Sequence, residues 1–215
     1  MNHFILFAAF FLVILSVIGY SFYFSNKAVV KRKLRNAPFK KISQFRHQTI
    51  AKTTGKIAYV IPPLISPLSQ RACSHYHIHV EQKNKNWSTL IEEEVSSKII
   101  LKDGDDYALI NHSSLKSFIV QDKVYSSGFL NDAGEKLEAY LKSKGKKSDY
   151  LIGFNKTLRY QEGILEKDEK VTALGQGEWK TAIELGLPEH LDKVLVINPI
   201  PKKFVYLSDD FDVMM

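Results

Sequence analysis

The chain has 215 residues, of which 45% are hydrophobic and 25% are charged. This length allows one domain with an extension or two small domains, and the composition excludes a largely disordered chain, a collagen and a polytopic membrane protein. The formal net charge of +7 comes from the N-terminal end, since residues 1–80 hold 11 of the 30 Lys+Arg and none of the 23 Asp+Glu. The charge is therefore no evidence for a nucleic-acid-binding domain, and no nucleic-acid partner is expected.

An uncharged apolar run of 21 residues, at positions 4–24, begins almost at once. A helix rises ~1.5 Å per residue, so about 20 residues cross a hydrocarbon core ~30 Å thick. The run therefore predicts a single transmembrane anchor within residues 1–26. A cleaved signal peptide is the alternative, but no Lys or Arg precedes the run, and aromatic residues stand where a cleavage site needs small ones.

A basic segment, residues 27–52, follows the apolar run. Positive charge beside a first membrane helix tends to stay in the cytoplasm, so we expect a single-pass protein with its N-terminus outside and its soluble body cytoplasmic. We interpret the segment as a juxtamembrane linker that sets this topology. Its cations could also contact anionic headgroups at about 1 kcal/mol each, with Leu34, Ile42 and Phe45 dipping into the interface of the bilayer. The candidate membrane-surface residues are Lys27, Lys31, Arg32, Lys33, Arg35, Lys40 and Lys41.

From residue 53 to residue 215 the chain shows short alternating apolar and polar runs separated by turn residues, a pattern typical of β-strands. The predicted fold is mainly β (α+β), a small β-rich domain with one inserted helix over residues 132–144. Asp132 is the expected N-cap of that helix. The sequence DGDD at residues 103–106 predicts a hairpin turn, in which Gly104 is free to adopt a positive φ.

The most chemically suggestive group is a set of alternating side chains, Cys73, His75, His77 and His79. Alternate residues of a strand share a face, and thiolate and imidazole ligands suit zinc or copper. Outer residues of such a strand lie more than ~10 Å apart at ~3.3 Å per residue, so a metal would need a further ligand such as His112. The favoured alternative is a structural strand without a cofactor, with the even-numbered residues from 76 to 80 inward and the imidazoles outward.

Several segments together resemble the GIDE domain, the "beside a membrane" domain that accompanies the RING finger in MULAN-type mitochondrial ubiquitin ligases and has prokaryotic relatives. The opening of that domain matches Gly55, Ser66-Pro67-Leu68-Ser69, Cys73, Tyr76 and Val80-Glu81. Its middle matches Trp87 and the strand at residues 99–103. Its closing pattern matches Arg159-Tyr160-Gln161-Glu162, Leu165, Val171 and Gly175. The family usually has a turn glycine near Asp168, which this chain lacks.

This resemblance implies a small, mostly β domain held against a bilayer. It does not imply ubiquitin-ligase activity, which in MULAN-like proteins resides in a RING finger with about eight Cys/His zinc ligands. The chain has a single cysteine. No catalytic residue is established for the β domain of the family, so none is carried over.

Two functions of different classes follow. The favoured hypothesis is a membrane-anchored, non-catalytic interaction or sensing module that presents a GIDE-like domain at the cytoplasmic membrane surface. Its partners would be the bilayer and a membrane or membrane-proximal protein, met at an exposed strand edge or beside the predicted helix. The alternative is a membrane-bound hydrolase or metal-dependent enzyme that uses the face formed by Cys73, His75, His77 and His79.

Two smaller features complete the sequence. The G-x-G at residues 175–177 follows a predicted strand but lacks a third glycine and a following helix, so it is weak evidence for phosphate binding. The acidic C-terminus carries Asp209, Asp210 and Asp212. We expect this end to fray, and a docking tail is the alternative.

Overall fold

Strands dominate the computed structural model, which describes residues 2–127, 134–146 and 157–214. The prediction of a mainly β fold is therefore confirmed. The described helices are α1 (Asn2–Phe24), α2 (Asn26–Arg35) and α3 (Glu135–Ser143). The described strands are β1 (Ile50–Ile57), β2 (Leu64–Ile65), β3 (Ala72–Cys73), β4 (His75–Lys83), β5 (Trp87–Ser96), β6 (Ile100–Asp103), β7 (Asp106–Ile110), β8 (Leu115–Phe118), β9 (Lys123–Ser127), β10 (Leu158–Leu165), β11 (Lys170–Thr181), β12 (Lys193–Asn198) and β13 (Val205–Ser208).

Five strands close into a small barrel in the order β1-β6-β7-β12-β11, because β11 pairs with β12 along one part and with β1 along another. The pairings are antiparallel except that of β7 with β12. β13 and β8 extend this sheet from β11. Alternate residues of the five strands point into the ring and form its apolar core, which includes Ile57, Leu101, Ile110, Ala173, Leu195 and Ile197.

Two glycines allow the barrel to close tightly. A Cβ added at Gly175 would lie 2.5 Å from both Ile197 Cγ2 and Asn198 O, and one at Gly177 would lie 2.5 Å from Phe45 Cδ1. The backbone N–H of Gly177 already donates to the carbonyl oxygen of Thr49, just before β1, at 2.8 Å. The G-x-G at residues 175–177 therefore serves close packing of the backbone and offers no phosphate cradle.

Two tight turns have the geometry that the sequence pattern indicates. Gly104 has φ +63° between β6 and β7, so the predicted hairpin is confirmed. Asp168, in the turn between β10 and β11, has φ +67°. It occupies the left-handed conformation, which aspartate tolerates better than most residues.

A second sheet, in the order β5-β4-β10-β9, lies beside the barrel, and the turn between β10 and β11 connects the two sheets. α3 packs on this second sheet through Leu137, Tyr140 and Leu141. The helix begins at Glu135 after Gly134, inside the range predicted for it. The expected N-cap, Asp132, lies outside the described residues.

α1 and α2 form a bent pair at the N-terminal end, with Ser25 between them accepting a hydrogen bond from the N–H of Ala28. In the part of the chain that the structure describes, no single helix is both long and apolar enough to cross a membrane. One pair, Phe10–Phe24 with Asn26–Arg35, meets that test together by length and composition, and its two helices differ in direction by 56°. The transmembrane anchor stays a prediction.

The region interpreted as a linker contains a docked helix. Val30 and Leu34, one turn apart on α2, are fully buried against β11 and β13. Ile42 and Phe45 are buried in the barrel cluster. The suggestion that Leu34, Ile42 and Phe45 enter a bilayer interface is therefore wrong, because the β domain itself covers these side chains. The folded body begins at α2, earlier than the predicted boundary at residue 53.

The C-terminal tail, residues 209–214, also packs on α2. Val213 is fully buried in the same cluster as Leu34, and the side chain of Asp210 accepts a hydrogen bond from the N–H of Asp212. The expectation of a frayed end is wrong, because Asp210 and Asp212 of the tail form ion pairs with Lys31 of α2. The tail docks within its own chain.

Candidate functional site

β4, the histidine strand, has two faces. Its even-numbered side chains from residue 76 to 80 pack toward α3 in a cluster with Leu137, Tyr140 and Leu141, as the structural alternative predicts. On the other face, His77 lies opposite Glu94 of β5 and His79 lies opposite Glu92. The two faces therefore differ in chemistry, with one apolar and one rich in imidazoles and carboxylates.

His75 does not face outward, contrary to the prediction. Its ring is fully buried and its Nδ1 lies 2.8 Å from Ser96 Oγ. Burial, reinforced by the neighbouring His77 and His112, lowers the pKa of His75 to about 3. Nε2 lies 3.4 Å from Glu94 Oε1 without hydrogen-bond geometry. Because the ring is neutral near pH 7, this contact is not an ion pair.

His77 and His79 are half-buried and contact protein side chains. His77 Nε2 lies 3.5 Å from Glu92 Oε1, and its Nδ1 lies 3.5 Å from the amide nitrogen of Gln121. His79 Nε2 lies 3.1 Å from Thr89 Oγ1. The two imidazoles thus point to different neighbours along β5 rather than to a common centre.

Cys73 belongs to β3 and is fully buried. Burial, reinforced by the charges of Glu162 and Glu166, raises the pKa of this thiol to about 11. The sulfur is therefore a protonated thiol near pH 7, whereas metals bind the thiolate. Within the described ranges, no group of three or more His, Cys, Asp or Glu side chains is placed to hold a metal ion. The structure does not bring Cys73 and the three histidines together as a ligand set.

The basic segment is partly committed to the fold. The candidate membrane-surface residues on α2 are Lys27, Lys31, Arg32, Lys33 and Arg35. Lys31 Nζ lies 2.8 Å from Asp210 Oδ2 and 2.7 Å from Asp212 Oδ2, and these hydrogen bonds raise the pKa of Lys31. Arg35 adds a 3.1 Å contact to Asp212. Lys31 therefore holds the C-terminal tail against α2.

The other basic residues differ in their surroundings. The Arg32 guanidinium lies 4.1 Å from the ring centroid of Tyr23 and donates to its carbonyl oxygen at 3.1 Å. Lys27 Nζ lies 4.9 Å from the ring centroid of Phe118. Lys40 is half-buried. The candidates that remain exposed are Lys27, Lys33, Arg35 and Lys41.

Several of the residues that resemble the GIDE domain contact one another around β10. The carboxylate of Glu162, buried in β10, accepts hydrogen bonds from Ser66 Oγ and from the N–H of Ser69 at 3.1 Å. Arg159, near the start of the same strand, forms a 2.5 Å ion pair with Glu81 of β4. Glu162 therefore ties the serine turn at residues 66–69 to β10, and Arg159 ties β10 to β4, so both residues have a structural role.

Two half-buried carboxyl groups near the β10–β11 turn, those of Asp209 and Glu169, were not predicted. Burial raises the pKa of Asp209 to about 7, although its Oδ1 accepts a 2.8 Å hydrogen bond from the N–H of Val120. Burial also raises the pKa of Glu169, whose charge in turn acts on Asp209. No local sequence pattern indicates this pair, because Glu169 precedes β11 and Asp209 follows β13, and only the pairing of these two strands brings the residues together.

A cleft of about 1050 Å³ opens beside β1 and is larger than two grooves beside α3, of about 380 and 430 Å³. Side chains from four barrel strands and the C-terminal tail line it, among them Lys56, Lys102, Tyr107, Lys170 and Phe211. Sequence analysis missed this group because its members are far apart along the chain. Only the register of the barrel strands places them side by side.

Comparison with known proteins identifies no family for the chain. It matches no protein-family model, no curated protein and no solved structure. The resemblance to the GIDE domain therefore rests on the quoted residues, and no function can be carried over from a relative.

Proposed function

We propose that the protein is a membrane-anchored, non-catalytic interaction or sensing module. In this proposal α1 lies in a bilayer and holds the β domain at the cytoplasmic membrane surface. The observation that carries the proposal is the exposed apolar surface of α1. Its large hydrophobic side chains from Phe7 to Phe24 are 39–73% exposed, and consecutive residues from Phe10 to Leu15 expose this surface all round the helix.

An apolar surface of this kind needs a cover. A helix that is apolar all round is normally buried in protein or lipid, and exposed apolar patches mark interaction sites. Lipid suits α1 because residues 4–24 carry no charge, and Tyr20 and Tyr23 stand at the end nearest α2, where aromatic rings favour the membrane interface.

The cytoplasmic orientation is supported by the cations that follow α1. Lys27, Lys33 and Lys41 are exposed and could contact anionic headgroups, as could Arg35, which is exposed although it also contacts Asp212, whereas Lys31 is held by Asp210 and Asp212. We therefore propose the four exposed residues as the membrane-contact set, with Lys31 serving the fold. The partner in this arrangement is a protein in or near the same membrane.

The similarity to the GIDE domain supports the same conclusion, since the domain of that family is held beside a membrane. The free edge of β5 and the grooves beside α3 are the surfaces that we propose for the protein partner, since an edge strand can pair with an extended peptide. The alternative of a hydrolase or metal-dependent enzyme draws no support from the histidine strand, whose described imidazoles contact protein side chains.

Carbonate extraction of native membranes tests the anchor. We expect the full chain to stay in the membrane pellet, and a variant with Ile14→Lys and Val17→Lys to be released, because each charge in the centre of a span costs about 3 kcal/mol. Lys33→Gln with Lys41→Gln is the control that changes charge without touching α1 and should stay in the pellet. Release of the full chain by carbonate would contradict the anchor.

Cross-linking in intact membranes, followed by mass spectrometry, tests the module. We expect one protein partner to be enriched with the full chain and lost when α1 carries the two lysines, since tethering raises the effective concentration of the domain near its partner. Protease added outside should leave the β domain intact. Enrichment of the same protein with the released variant would contradict the role of tethering, and digestion of the domain would contradict the orientation.

A further inference from the structure

Three lysines form a row across the outside of the barrel. Lys170 of β11 lies opposite Lys56 of β1, and Lys56 lies opposite Lys102 of β6. Tyr107 of β7 continues the row beyond Lys102. Residues directly opposite on neighbouring strands share a face and have Cβ atoms about 4.5–5.5 Å apart. The register therefore places three ammonium groups and one phenol ring side by side.

These three side chains point into solvent. Their sequence neighbours Ile57, Leu101 and Val171 are fully buried in the barrel, so the alternation of a strand sends the lysines outward, and all three are exposed. Like charges directly opposite one another in a sheet oppose folding. Repulsion within the row therefore lowers the stability of the folded protein.

Nothing among the described residues neutralises the row through an ion pair. The lysine ion pairs in that part of the chain involve Lys31, Lys144 and Lys180. The close neighbour of the row is Tyr107, whose ring centroid lies 5.3 Å from Lys102 Nζ. The three charges are therefore available to a ligand.

The row lies in the cleft of about 1050 Å³ beside β1. Lys167 adds a fourth cation to the lining of the cleft. Two aspartates, Asp103 and Asp168, also line it, so the lysines outnumber the aspartates by four to two. Phe211, 71% exposed, lines the same cleft. A ligand in the cleft would therefore contact an excess of positive charge at the lysine row and an exposed aromatic ring at Phe211.

We propose that this cleft binds a phosphate-bearing small molecule, with Lys56, Lys102 and Lys170 contacting the phosphate oxygens. Lysine is a common phosphate ligand that acts as a point charge, and a row of three matches a group with two or more negative charges. The phosphate could belong to a soluble compound or to a lipid headgroup. The site lies on the barrel, so the inference goes beyond the anchoring function and does not depend on it.

Calorimetric titration with inorganic pyrophosphate tests the site, using the full chain in phosphatidylcholine nanodiscs. We expect saturable binding that weakens as salt is raised. The double variant Lys56→Gln with Lys170→Gln should lose roughly tenfold or more in affinity, which corresponds to about 1.4 kcal/mol. Lys85→Gln with Lys142→Gln removes the same charge from exposed positions outside the cleft and should bind like the wild type. Absent binding, or an equal loss in both double variants, would overturn the proposal.

Thermal melting without ligand provides a second measurement. Removing like charges should raise the melting temperature of the Lys56→Gln and Lys170→Gln variant, while pyrophosphate should raise that of the wild type only. If the double variant melted at a lower temperature than the wild type without ligand, the lysines of the row would not repel one another as proposed.

The same titration in nanodiscs that contain phosphatidic acid separates the two sources of phosphate. A headgroup in the cleft would weaken pyrophosphate binding relative to nanodiscs with phosphatidylserine, whose net charge is similar but whose phosphate is a diester. Equal affinities in both would favour a soluble ligand. Either outcome supports phosphate recognition, whereas failure of the carbonate test for the anchor would leave this result unchanged.

Discussion

At the residue scale, Asp209 links the stability of the fold to pH. Its folded pKa of about 7 lies above the ordinary value of 3.8, because burial disfavours the charged form. A carboxyl with a raised pKa favours folding fully below about pH 4 and loses that contribution as pH rises toward 7. The loss is at most about 1.4 kcal/mol per pH unit.

We therefore expect Asp209→Asn to be more stable than the wild type at about pH 8 and to match it at about pH 4. Asparagine can still accept the hydrogen bond from the N–H of Val120, now at 2.8 Å. Urea unfolding of the full chain at several pH values provides the measurement. Asp105→Asn, at an exposed position in the hairpin turn, is the control and should follow the wild type. A variant that parallels the wild type at every pH would refute the buried-carboxyl account.

His75 acts in the opposite direction. Its folded pKa of about 3 lies below the ordinary 6.5, so its contribution to stability is complete above about pH 6.5 and is lost as pH falls toward 3. We expect His75→Asn, which can keep a hydrogen bond to Ser96, to lower stability at about pH 7.5 and to narrow that deficit at about pH 4.5. Urea unfolding again measures this, with exposed His47→Asn as control. A deficit that grows in acid would contradict a buried neutral ring.

The sequence could predict which face of β4 is apolar but not that His75 is buried. Alternation assigns residues to two faces, and the face with Tyr76, Ile78 and Val80 does pack toward α3. Whether the second face is open depends on what covers it. Gln121, which approaches His77, comes from a segment that follows a different sheet, and no local pattern indicates that contact.

At the scale of elements, α2 makes the basic segment part of the fold. Leu34 is fully buried with Leu174, Tyr206 and Val213. We expect Leu34→Ala to cost about 2–5 kcal/mol, since it removes a buried side chain and leaves a cavity. Chemical denaturation measures the loss, and hydrogen exchange should show faster opening of α2. Exposed Lys33→Ala on the same helix is the control. A cost below about 0.5 kcal/mol would support the flexible linker instead.

Gly175 tests the closure of the barrel. A Cβ there would meet Ile197 and Asn198 O at 2.5 Å, and a backbone oxygen cannot move aside cheaply. We expect Gly175→Ala to destabilise the protein by about 1–3 kcal/mol, as overpacking does. Gly134→Ala, where an added Cβ has open space, is the matched control in thermal melting. Equal effects of the two variants would mean that the strands separate without cost.

Strands are easier to predict from the sequence than the docking of α2, because strands follow local patterns whereas the docking depends on distant parts of the chain. Residue alternation and the DGDD turn are local, and β6, β7 and their turn follow them. The spacing of Val30 and Leu34, four residues apart, was a local signal for a buried helix face. The surrounding lysines and arginines favoured the interpretation as a linker instead, because membrane-proximal linkers also carry positive charge. The tail that pairs with Lys31 lies at the other end of the chain.

At the scale of the whole molecule, the two N-terminal helices have different roles. α1 leaves its large apolar side chains exposed, whereas α2 covers apolar residues of β11 and β13 and holds the C-terminal tail. The folded body therefore extends from α2 to the tail, and the segment with a resemblance to the GIDE domain, residues 55–175, is only part of it. β12 and β13 lie beyond that segment, although β12 is needed to close the barrel.

Two truncations separate these roles. We expect residues 26–215 to melt within a few degrees of the full chain, because removing α1 uncovers little of the body, although Arg32 loses Tyr23 as a neighbour. Residues 38–215 should unfold at a much lower temperature, since removing α2 exposes Leu174, Tyr206 and Val213 and leaves Asp210 without Lys31. Circular dichroism provides the measurement. Equal melting of the two truncated chains would show that α2 adds nothing to the body, and a large loss on removing α1 alone would show that α1 belongs to the fold rather than to the membrane.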